Sequence, residues 1–274
     1  MGTNSKKDPT GHRKALACLN TVCVSIVSHG HGGIVRDLIG DLCRCSQVSQ
    51  ILLTQNIPES ARDKFPPKVK LQTNARPWGY GTNHNAAFRF CQTSYFCVIN
   101  PDIRIHKNPF PSLLRAMKDQ NVGVCAPRIM ALDGDEEDSH RRFPNLGALL
   151  GKAFGGSDGR VQAGQAKAWE QNSWLGGMFL LLRSDVFREA EGFDPKFFLY
   201  YEDVDLCARL IRMGYWVRKV SSVGVVHDAR RQSRRSPRYA AWHLQSMARY
   251  FWKRWIGRYT KSKVSLPPRL SSSR

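Results

Sequence analysis

Short apolar runs alternate with amphipathic stretches through the first hundred residues of the chain. The runs are rich in β-branched and aromatic side chains and most end at Gly, Asn or Pro, which predicts buried strands. Between them, Ile34, Leu38 and Leu42 form an apolar stripe at helical spacing, and a second helix is expected through residues 86–90. The alternation predicts an α/β fold, with a mostly parallel, Rossmann-like sheet covered by helices on both faces. Strands are expected at 22–27, 50–54, 69–73 and 95–99.

The second half of the chain has a less regular pattern. Residues 131–172 are polar, with an acidic run and several glycines, which predicts loops over the active face of the sheet. A helix is expected at 202–214. Further strands are expected at 122–126, 178–182 and 223–226.

Positive charge is concentrated near the C-terminus. The sequence has 42 Lys and Arg against 22 Asp and Glu, a formal net charge of +20, and thirteen of the basic residues follow Asp228. The excess predicts an anionic partner: nucleic acid, an anionic bilayer surface or a phosphorylated ligand. Residues 239–256 form a predicted basic amphipathic helix, which favours the bilayer over a helix packed on the core with a solvated basic face. Its apolar stripe is predicted to contain Leu244, Met247, Ala248, Phe251 and Trp255.

The apolar runs are too short for a secretory signal or a transmembrane helix, so we expect a chain that is soluble or lies on a membrane without crossing it. The eight cysteines show no CxxC spacing and several lie inside apolar runs, which is typical of reduced core thiols in a cytosolic protein. Residues 1–20 are polar and are expected to form a flexible basic arm.

Two strand ends carry candidate metal ligands. The strand at 95–99 is followed by Asn100-Pro101-Asp102, and an Asp in that position can hold a divalent cation through oxygen. Taken alone, the tripeptide is better explained as an ordinary Asn-Pro-Asp turn. His227 follows the strand at 223–226, where a neutral imidazole can bind a metal or a phosphate, although a structural role is commoner.

Three acidic residues open the helix at 202–214, directly after the aromatic run at 197–201. Acidic residues are favoured at a helix N-terminus, but a cap needs only one or two of them. Crowded carboxylates beside aromatic side chains have raised pKa values, as a general base requires. The candidates are Glu202, Asp203 and Asp205.

Two glycine-containing segments are candidate ligand loops. The segment "GYGTNHN" at 79–85 precedes a predicted helix, and its backbone N–H groups can approach a phosphate, although a turn with a helix cap has the same composition. The pair before the strand at 178–182 allows close approach of a ligand or tight packing. The candidate residues are Asn74, Gly79, Gly81, Asn85, Gly176 and Gly177.

In their order along the chain, these motifs resemble family 2 glycosyltransferases, the inverting enzymes with the GT-A fold. The similarity is greatest to the rhamnosyltransferase-like branch that builds bacterial polysaccharide and lipopolysaccharide. It extends from Val22 to about Trp255. The segments that carry it are "VSIVSHG" (24–30), "NARPWGYGTNHNAA" (74–87), "INPDIRI" (99–105), "WLGGMFLLLRSDVFREAEGFDPKFFLYYEDVDLCARLIRMGY" (174–215) and "VGVVH" (223–227).

The resemblance implies roles at the reaction centre. Asp102 matches the metal-binding Asp of the DxD-type motif, with Asn100 in the first Asp position, and His227 completes the site for Mg²⁺ or Mn²⁺. Asp203 matches the base that deprotonates the acceptor hydroxyl, supported by Glu202 and Asp205.

For substrates, the resemblance implies a UDP- or dTDP-sugar donor, carrying rhamnose or another hexose, and a hydroxyl of a glycan or lipid-linked glycan as acceptor. Ser28 and His29 are placed beside the nucleotide. Gln55-Asn56 stands where the family usually has Asp-Asn, which affects recognition of the nucleobase.

The resemblance also implies a domain plan and a location. Residues 21–105 form the nucleotide-sugar half of the catalytic domain and residues 106–230 the acceptor half, followed by a basic tail at 231–274. The enzyme is expected on the cytoplasmic face of the inner membrane.

Three alternatives remain open at this point. A basic nucleic-acid-binding protein accounts for the charge, but predicts base-stacking aromatic residues in a basic groove. A metal-dependent nucleotidyltransferase or nucleotide-sugar hydrolase uses the same carboxylates. A catalytically inactive relative is disfavoured because Asp102, Asp203 and His227 are all present.

Overall fold

A mixed sheet of eight strands forms the centre of the computed structural model, which describes residues 21–59, 64–144, 170–228 and 237–257. The strands are β1 (Val22–Ser28), β2 (Val48–Gln55), β3 (Val69–Thr73), β4 (Tyr95–Ile99), β5 (Ile103–Arg104), β6 (Val122–Met130), β7 (His140–Arg142), β8 (Ser173–Leu175), β9 (Phe179–Arg183) and β10 (Trp216–His227). The order across the sheet is β3-β2-β1-β4-β9-β6-β10-β5, and β7 pairs with β8 in a separate small sheet.

Helices cover both faces of the large sheet. The described helices are α1 (Gly33–Cys43), α2 (Tyr80–Phe88), α3 (Phe110–Ala116), α4 (Ser184–Glu189), α5 (Glu202–Arg212) and α6 (Pro237–Trp255). The apolar sides of α1 and α3 pack in one core, and those of α2, α4 and α5 pack in the other. Successive residues of β4 alternate between the two cores, which is why this strand is apolar throughout.

The predicted α/β fold with a mostly parallel sheet is confirmed, and two strands, β5 and β9, run opposite to the others. β1 is parallel to β2 and β4, and β6 is parallel to β10, whereas β9 runs antiparallel to both β4 and β6. Each strand predicted from an apolar run is present. The strands β1 to β6, β9 and β10 belong to one sheet. The division of the catalytic domain into a nucleotide-sugar half and an acceptor half near residue 105 stays a prediction.

Several predicted boundaries were wrong. β6 extends to Met130, and β7 lies within the segment predicted as loops at 131–172, of which 145–169 lie outside the described residues. β10 begins at Trp216 and not at residue 223, because Arg218 and Lys219 lie within the strand and are paired with Glu170 and Glu136. A hydropathy pattern cannot anticipate such distant pairing. α2 begins at Tyr80, so the segment at 79–85, predicted as a loop, is largely helical.

The C-terminal helix exists, and it packs on the domain through a side other than the apolar stripe that was predicted to face a bilayer. The buried residues of α6 are Ser246, Tyr250 and Lys253, and Trp252 is exposed. None of the helices in the described parts of the chain has the length and hydropathy that a membrane span requires. The predicted arm at 1–20 lies outside the described residues, as do 229–236 and 258–274 of the basic tail.

Candidate active site

The ends of β4 and β10 bring Asp102 and His227 together. β10 pairs antiparallel with β5, the short strand that follows Asp102, so that His227 lies opposite Ile103. The Nε2 atom of His227 is 3.3 Å from Oδ2 of Asp102. The backbone N–H of Asp228 also donates to the carbonyl oxygen of Asp102 at 2.8 Å. Two residues 125 positions apart in the sequence therefore form one polar site at the edge of the sheet.

Glu137 completes this cluster on the far side of the imidazole. Its Oε2 atom lies 2.8 Å from Nδ1 of His227. Burial alone would lower the pKa of His227, but the Asp102 and Glu137 carboxylates outweigh it and raise the pKa to about 8. Sequence reasoning missed this role of Glu137, because it is one of several acidic residues in a polar segment.

Asp102 and His227 are suitable as the two protein ligands of a divalent cation. The Oδ1 atom of Asp102 is buried and accepts no hydrogen bond from the described residues. Such an atom is a ready cation ligand, since burial without a partner is unfavourable for a carboxylate oxygen. Within the described ranges no group of three or more His, Cys, Asp or Glu forms a metal site. A Mg²⁺-type site needs only one or two protein carboxylates when water and phosphate fill the other positions.

Asp203 and Glu202 open α5 in contrasting surroundings. Asp203 is half-buried. Its carboxylate accepts hydrogen bonds from the N–H of Gly177 and from the N–H of Val204, the next residue along the helix, both at 2.8 Å. Burial raises the pKa of Asp203 despite these hydrogen bonds. Glu202 is buried, and its Oε2 atom accepts no hydrogen bond from the described residues. Burial, followed by the charge of Asp203, raises the pKa of Glu202 well above its ordinary value.

Tyr80 lies between the two carboxylate groups. Its hydroxyl is 2.7 Å from the carbonyl oxygen of Gly177 and 3.1 Å from Oδ1 of Asn100. Burial raises the pKa of Tyr80 well above its ordinary value, and the charges of Glu202, Asp203 and Asp102 add to the effect. The hydroxyl thus connects the segment before Asp102 with the segment that holds Asp203. The only sequence signal for Tyr80 was its place between the glycines of "GYGTNHN".

Asp205 points to a different set of partners from Asp203. Its fully buried carboxylate accepts from Nε of Arg209 at 2.8 Å and from Nζ of Lys253 in α6. Lys253 also donates to Asp194 at 2.8 Å. The structure therefore places Asp205 in an ion-pair network that joins α5 to α6.

Asn56 and Asn74 form a buried amide cluster with Asn83. The Oδ1 atom of Asn56 accepts from Nδ2 of Asn74 at 3.0 Å, from Nδ2 of Asn83 at 3.1 Å and from the backbone N–H of Trp78 at 2.8 Å. The Asn56 amide also donates to the Trp78 carbonyl at 3.0 Å and lies 3.3 Å from Nδ1 of His29. These bonds fix the path of residues 74–79 next to His29.

The predicted residues Gly79, Gly81 and Asn85 pack against the segment 192–198. A Cβ atom at Gly79 would lie 2.8 Å from the carbonyl oxygen of Phe198, and one at Gly81 would lie 2.5 Å from Cβ of Phe193. Asn85 donates to the Phe193 carbonyl at 2.7 Å and accepts its N–H at 2.9 Å. These contacts hold α2 against the chain leading to α5. Gly176, in a different segment, donates its N–H to the carbonyl oxygen of Ser139 at 2.8 Å.

The turn after β1 surrounds a carboxylate. Ser28 donates its hydroxyl to Glu59, and the backbone N–H groups of Gly30 and Gly32 each lie 3.1 Å from oxygens of the same side chain. His29, beside this turn, contacts Asn56. The predicted nucleotide-side residues Ser28, His29 and Asn56 are thus neighbours. Sequence reasoning did not identify Glu59.

Sequence comparison places the chain among sugar transferases. Residues 53–189 match the family described as glycosyl transferase family 2. Rhamnosyltransferase WbbL of Escherichia coli (strain K12) is 26% identical over 250 residues, covering 84% of this chain and 92% of that protein. The N-acetylglucosaminyl-diphospho-decaprenol L-rhamnosyltransferase of Mycobacterium tuberculosis (strain ATCC 25618 / H37Rv) is 28% identical over 204 residues, covering 67% of this chain and 66% of that enzyme.

Structural comparison confirms the GT-A fold. GalNAc-T7, solved with UDP, GalNAc and Mn²⁺, superposes with a TM-score of 0.61 at 15% identity, over 78% of this chain and 44% of that chain. The mannosyltransferase PcManGT from Pyrobaculum calidifontis, solved with GDP-Man and Mn²⁺, gives a TM-score of 0.54 at 14% identity, over 85% of this chain and 64% of that chain. At these identities the likeness establishes the architecture alone.

The family match covers half of the chain, and the relatives extend it over most of the remainder. These findings favour a transferase over the nucleic-acid-binding, nucleotidyltransferase and hydrolase alternatives. The chain belongs to glycosyl transferase family 2 and is a glycosyltransferase that uses a nucleotide sugar.

Proposed function

We propose that this enzyme transfers a hexose, with L-rhamnose as the first candidate, from a dTDP- or UDP-linked donor to a hydroxyl of a lipid-linked glycan. Two relatives described as rhamnosyltransferases support the sugar, and the one described as acting on N-acetylglucosaminyl-diphospho-decaprenol supports a lipid-linked acceptor. A location on the cytoplasmic face of an anionic membrane is part of the proposal, since a lipid-linked acceptor lies there.

The observation that carries the proposal is that two polar sites, one at Asp102 and His227 and one at Asp203, are connected through the Tyr80 hydroxyl. The Asp102 and His227 pair suits the diphosphate side of the donor, and Asp203, on the Gly177 N–H, suits the acceptor side. The Tyr80 hydroxyl contacts Asn100, two positions before Asp102, and Gly177, whose N–H binds Asp203, which supports a single active site.

In the proposed reaction, the acceptor oxygen forms a bond to the anomeric carbon as the bond from that carbon to the diphosphate oxygen breaks. The hydroxyl proton passes to Asp203, and a single displacement inverts the anomeric centre. A raised pKa makes Asp203 a stronger base than an ordinary aspartate. A Mg²⁺ or Mn²⁺ ion held by Asp102 and His227, when bound, neutralises negative charge on the leaving diphosphate.

Hydrogen bonding supports Asp203, and not Glu202, as the ionised member of the adjacent pair. Two backbone N–H groups stabilise the charge on Asp203. Glu202 is more deeply buried and lacks such donors at Oε2 among the described residues, so it is expected to retain its proton. Tyr80 donates to the carbonyl oxygen of Gly177, the residue whose N–H binds Asp203.

The test is a calorimetric titration of the purified chain with UDP and with dTDP, each in the presence of Mn²⁺, Mg²⁺ or EDTA. Metal-dependent binding of one nucleotide is expected. Transfer is then measured with the matching rhamnose donor and a polyprenyl-diphospho-N-acetylglucosamine acceptor, and the anomeric configuration of the product is determined. Release of free sugar without acceptor would support a hydrolase, and a product of retained configuration would refute the single displacement.

A further inference from the structure

The two sides of α6 are chemically distinct. On the inner side, the Ser246 hydroxyl donates to the carbonyl oxygen of Leu199 at 2.9 Å, and Tyr250 is fully buried. Lys253 on the same side bonds to Asp194 and Asp205. These contacts attach the helix firmly to the catalytic domain, so its other side is a fixed surface.

The outer side of α6 carries an exposed apolar stripe. Leu244 and Trp252 are each 59% exposed and Trp255 is 77% exposed. The i, i+3, i+4 spacing places these residues on one line of the helix, opposite the buried residues. Large exposed apolar side chains that are aligned in this way mark an interaction surface, whereas scattered ones do not. We call Ala241, Leu244, Ala248, Trp252 and Trp255 the outer stripe.

The helix that carries the outer stripe is basic, and so is the sequence on both sides of it. α6 contains Arg238, Arg249 and Arg254 besides Lys253, and has no Asp or Glu. The sequence after Asp228 has thirteen Lys and Arg and no acidic residue. The partner must therefore combine negative charge with an apolar layer deep enough to accept indole rings.

We propose that the outer stripe of α6 is a docking surface for an anionic lipid bilayer. Tryptophan is favoured at the boundary between headgroups and acyl chains, and arginine is attracted to anionic headgroups. A nucleic acid offers the charge without the apolar layer, and a second copy of this chain offers the apolar layer without the negative charge. Of these three partners, only the bilayer combines both properties.

Docking through this helix holds the catalytic residues close to the bilayer surface. Lys253 connects α6 to Asp205, two positions after Asp203. Trp242 packs on Phe198 with ring centroids 4.7 Å apart, in the segment that leads into α5. The idea that this bilayer also carries the acceptor rests on the proposed function. Docking of the helix on the bilayer does not depend on the proposed function.

The test is co-sedimentation of the full chain with vesicles, without donor or acceptor. One set of vesicles contains phosphatidylcholine only, and the other also contains phosphatidylglycerol. Binding to the second set is expected, and it should weaken as salt is added. The double substitution Trp252→Ser with Trp255→Ser should weaken binding by at least about tenfold, because two indole groups no longer enter the interface.

The matched control is Phe90→Ser with Leu132→Ser, which removes apolar side chains that are 53% and 71% exposed elsewhere on the molecule. This variant should bind vesicles like the original chain. Nucleotide binding and thermal unfolding verify that every variant is folded. Equal vesicle binding by both double variants, or no binding by the original chain, would overturn the proposal. A stripe-dependent dimer in light scattering without vesicle binding would replace the bilayer with a second copy. None of these results depends on transferase activity.

Discussion

At the scale of single residues, the adjacent carboxylates of Glu202 and Asp203 differ in their hydrogen bonds. Asp203 receives two backbone N–H groups, which stabilise its charge while burial raises its pKa. Glu202 is buried without a donor to Oε2 among the described residues, so the same burial favours its protonated form. Two neighbouring acids in a helix's first turn therefore have opposite expected charge states.

This difference predicts opposite outcomes for two conservative substitutions. Asp203→Asn should reduce kcat by about 100- to 10,000-fold, because the proton acceptor is lost. Glu202→Gln should retain most activity, since an amide replaces a carboxylic acid that is already neutral. The measurement is steady-state transfer, with calorimetric nucleotide binding as the control for folding. The reverse ranking would move the base role to Glu202.

Acid should also inactivate the enzyme through Asp203. The base must be ionised, so kcat is expected to fall as the pH drops through the pKa of Asp203. Because that pKa is raised, the fall should begin at a higher pH than for an ordinary aspartate. The pH profile of kcat tests this, with nucleotide binding followed over the same range. A profile that stays flat into the ordinary range of carboxyl groups would contradict the assignment.

Glu137 is expected to orient His227 toward Asp102. A carboxylate on the distal nitrogen of a ligand histidine fixes the ring, and losing it typically weakens metal binding about 10- to 100-fold. Glu137→Gln should therefore weaken Mn²⁺ binding in calorimetry by that factor. Glu136→Gln is the control, because Glu136 pairs with Lys219 instead. Equal effects of the two substitutions would indicate a general loss of negative charge and no specific contact with His227.

At the scale of elements, one buried carboxylate fastens α1 to β5 and the chain that follows it. Asp41 accepts from Nε of Arg104 and from the N–H of Ile105, both at 2.9 Å, and pairs with Arg44 at 2.6 Å. Burial alone would raise the pKa of Asp41, but these donors outweigh it and lower the pKa. The junction lies directly after Asp102, so it also supports the metal-side strand end.

Asp41→Ala should lower the free energy of unfolding by about 2–3 kcal/mol, since it leaves the buried Ile105 N–H without its acceptor. Asp37→Ala should change it by less than about 0.5 kcal/mol, because Asp37 is exposed and contacts Arg104 only at 3.4 Å. Denaturant titration measures both.

The contribution of Asp41 also has a defined pH dependence. With its folded pKa lowered, the contribution is complete above the unfolded pKa and is lost as the pH falls through the folded pKa. The stability difference between the original chain and Asp41→Ala should therefore shrink in acid. A difference that grows in acid would contradict this account.

At the scale of the whole molecule, Lys253 joins the C-terminal helix to the catalytic domain. Its ammonium group is largely buried between Asp194 and Asp205. Lys253→Met keeps the aliphatic stem but leaves two acidic side chains short of a partner, which typically costs about 3–5 kcal/mol for a buried pair. Hydrogen exchange should accelerate in α6 and around residue 194, while β1 and β4 remain protected. Arg254→Met, at the exposed neighbouring position, removes a contact with Tyr250 within the same helix and should leave exchange around residue 194 unchanged; uniform acceleration in both variants would disprove a specific link.

The amino-acid sequence by itself determined seven of the ten described strands, four of the six described helices and the order of the candidate motifs, whereas β5, β7 and β8 were not predicted. Hydrophobic periodicity is a local property, so β4 and α5 could be predicted from their own residues. Asp102 could be proposed because it follows a recognisable strand, and Asp203 because it opens a recognisable helix; the order of motifs identified the family.

Only the tertiary structure decided which side chains meet. Glu137 and His227 are 90 residues apart, and Tyr80 and Gly177 are 97 apart, so no local pattern connects them. The same applies to Asp205, whose sequence neighbours suggested catalysis but whose contacts are with Arg209 and Lys253. Burial and charge pairing are set by the packed fold, and they determine whether an acidic residue is a base, a metal ligand or half of an ion pair.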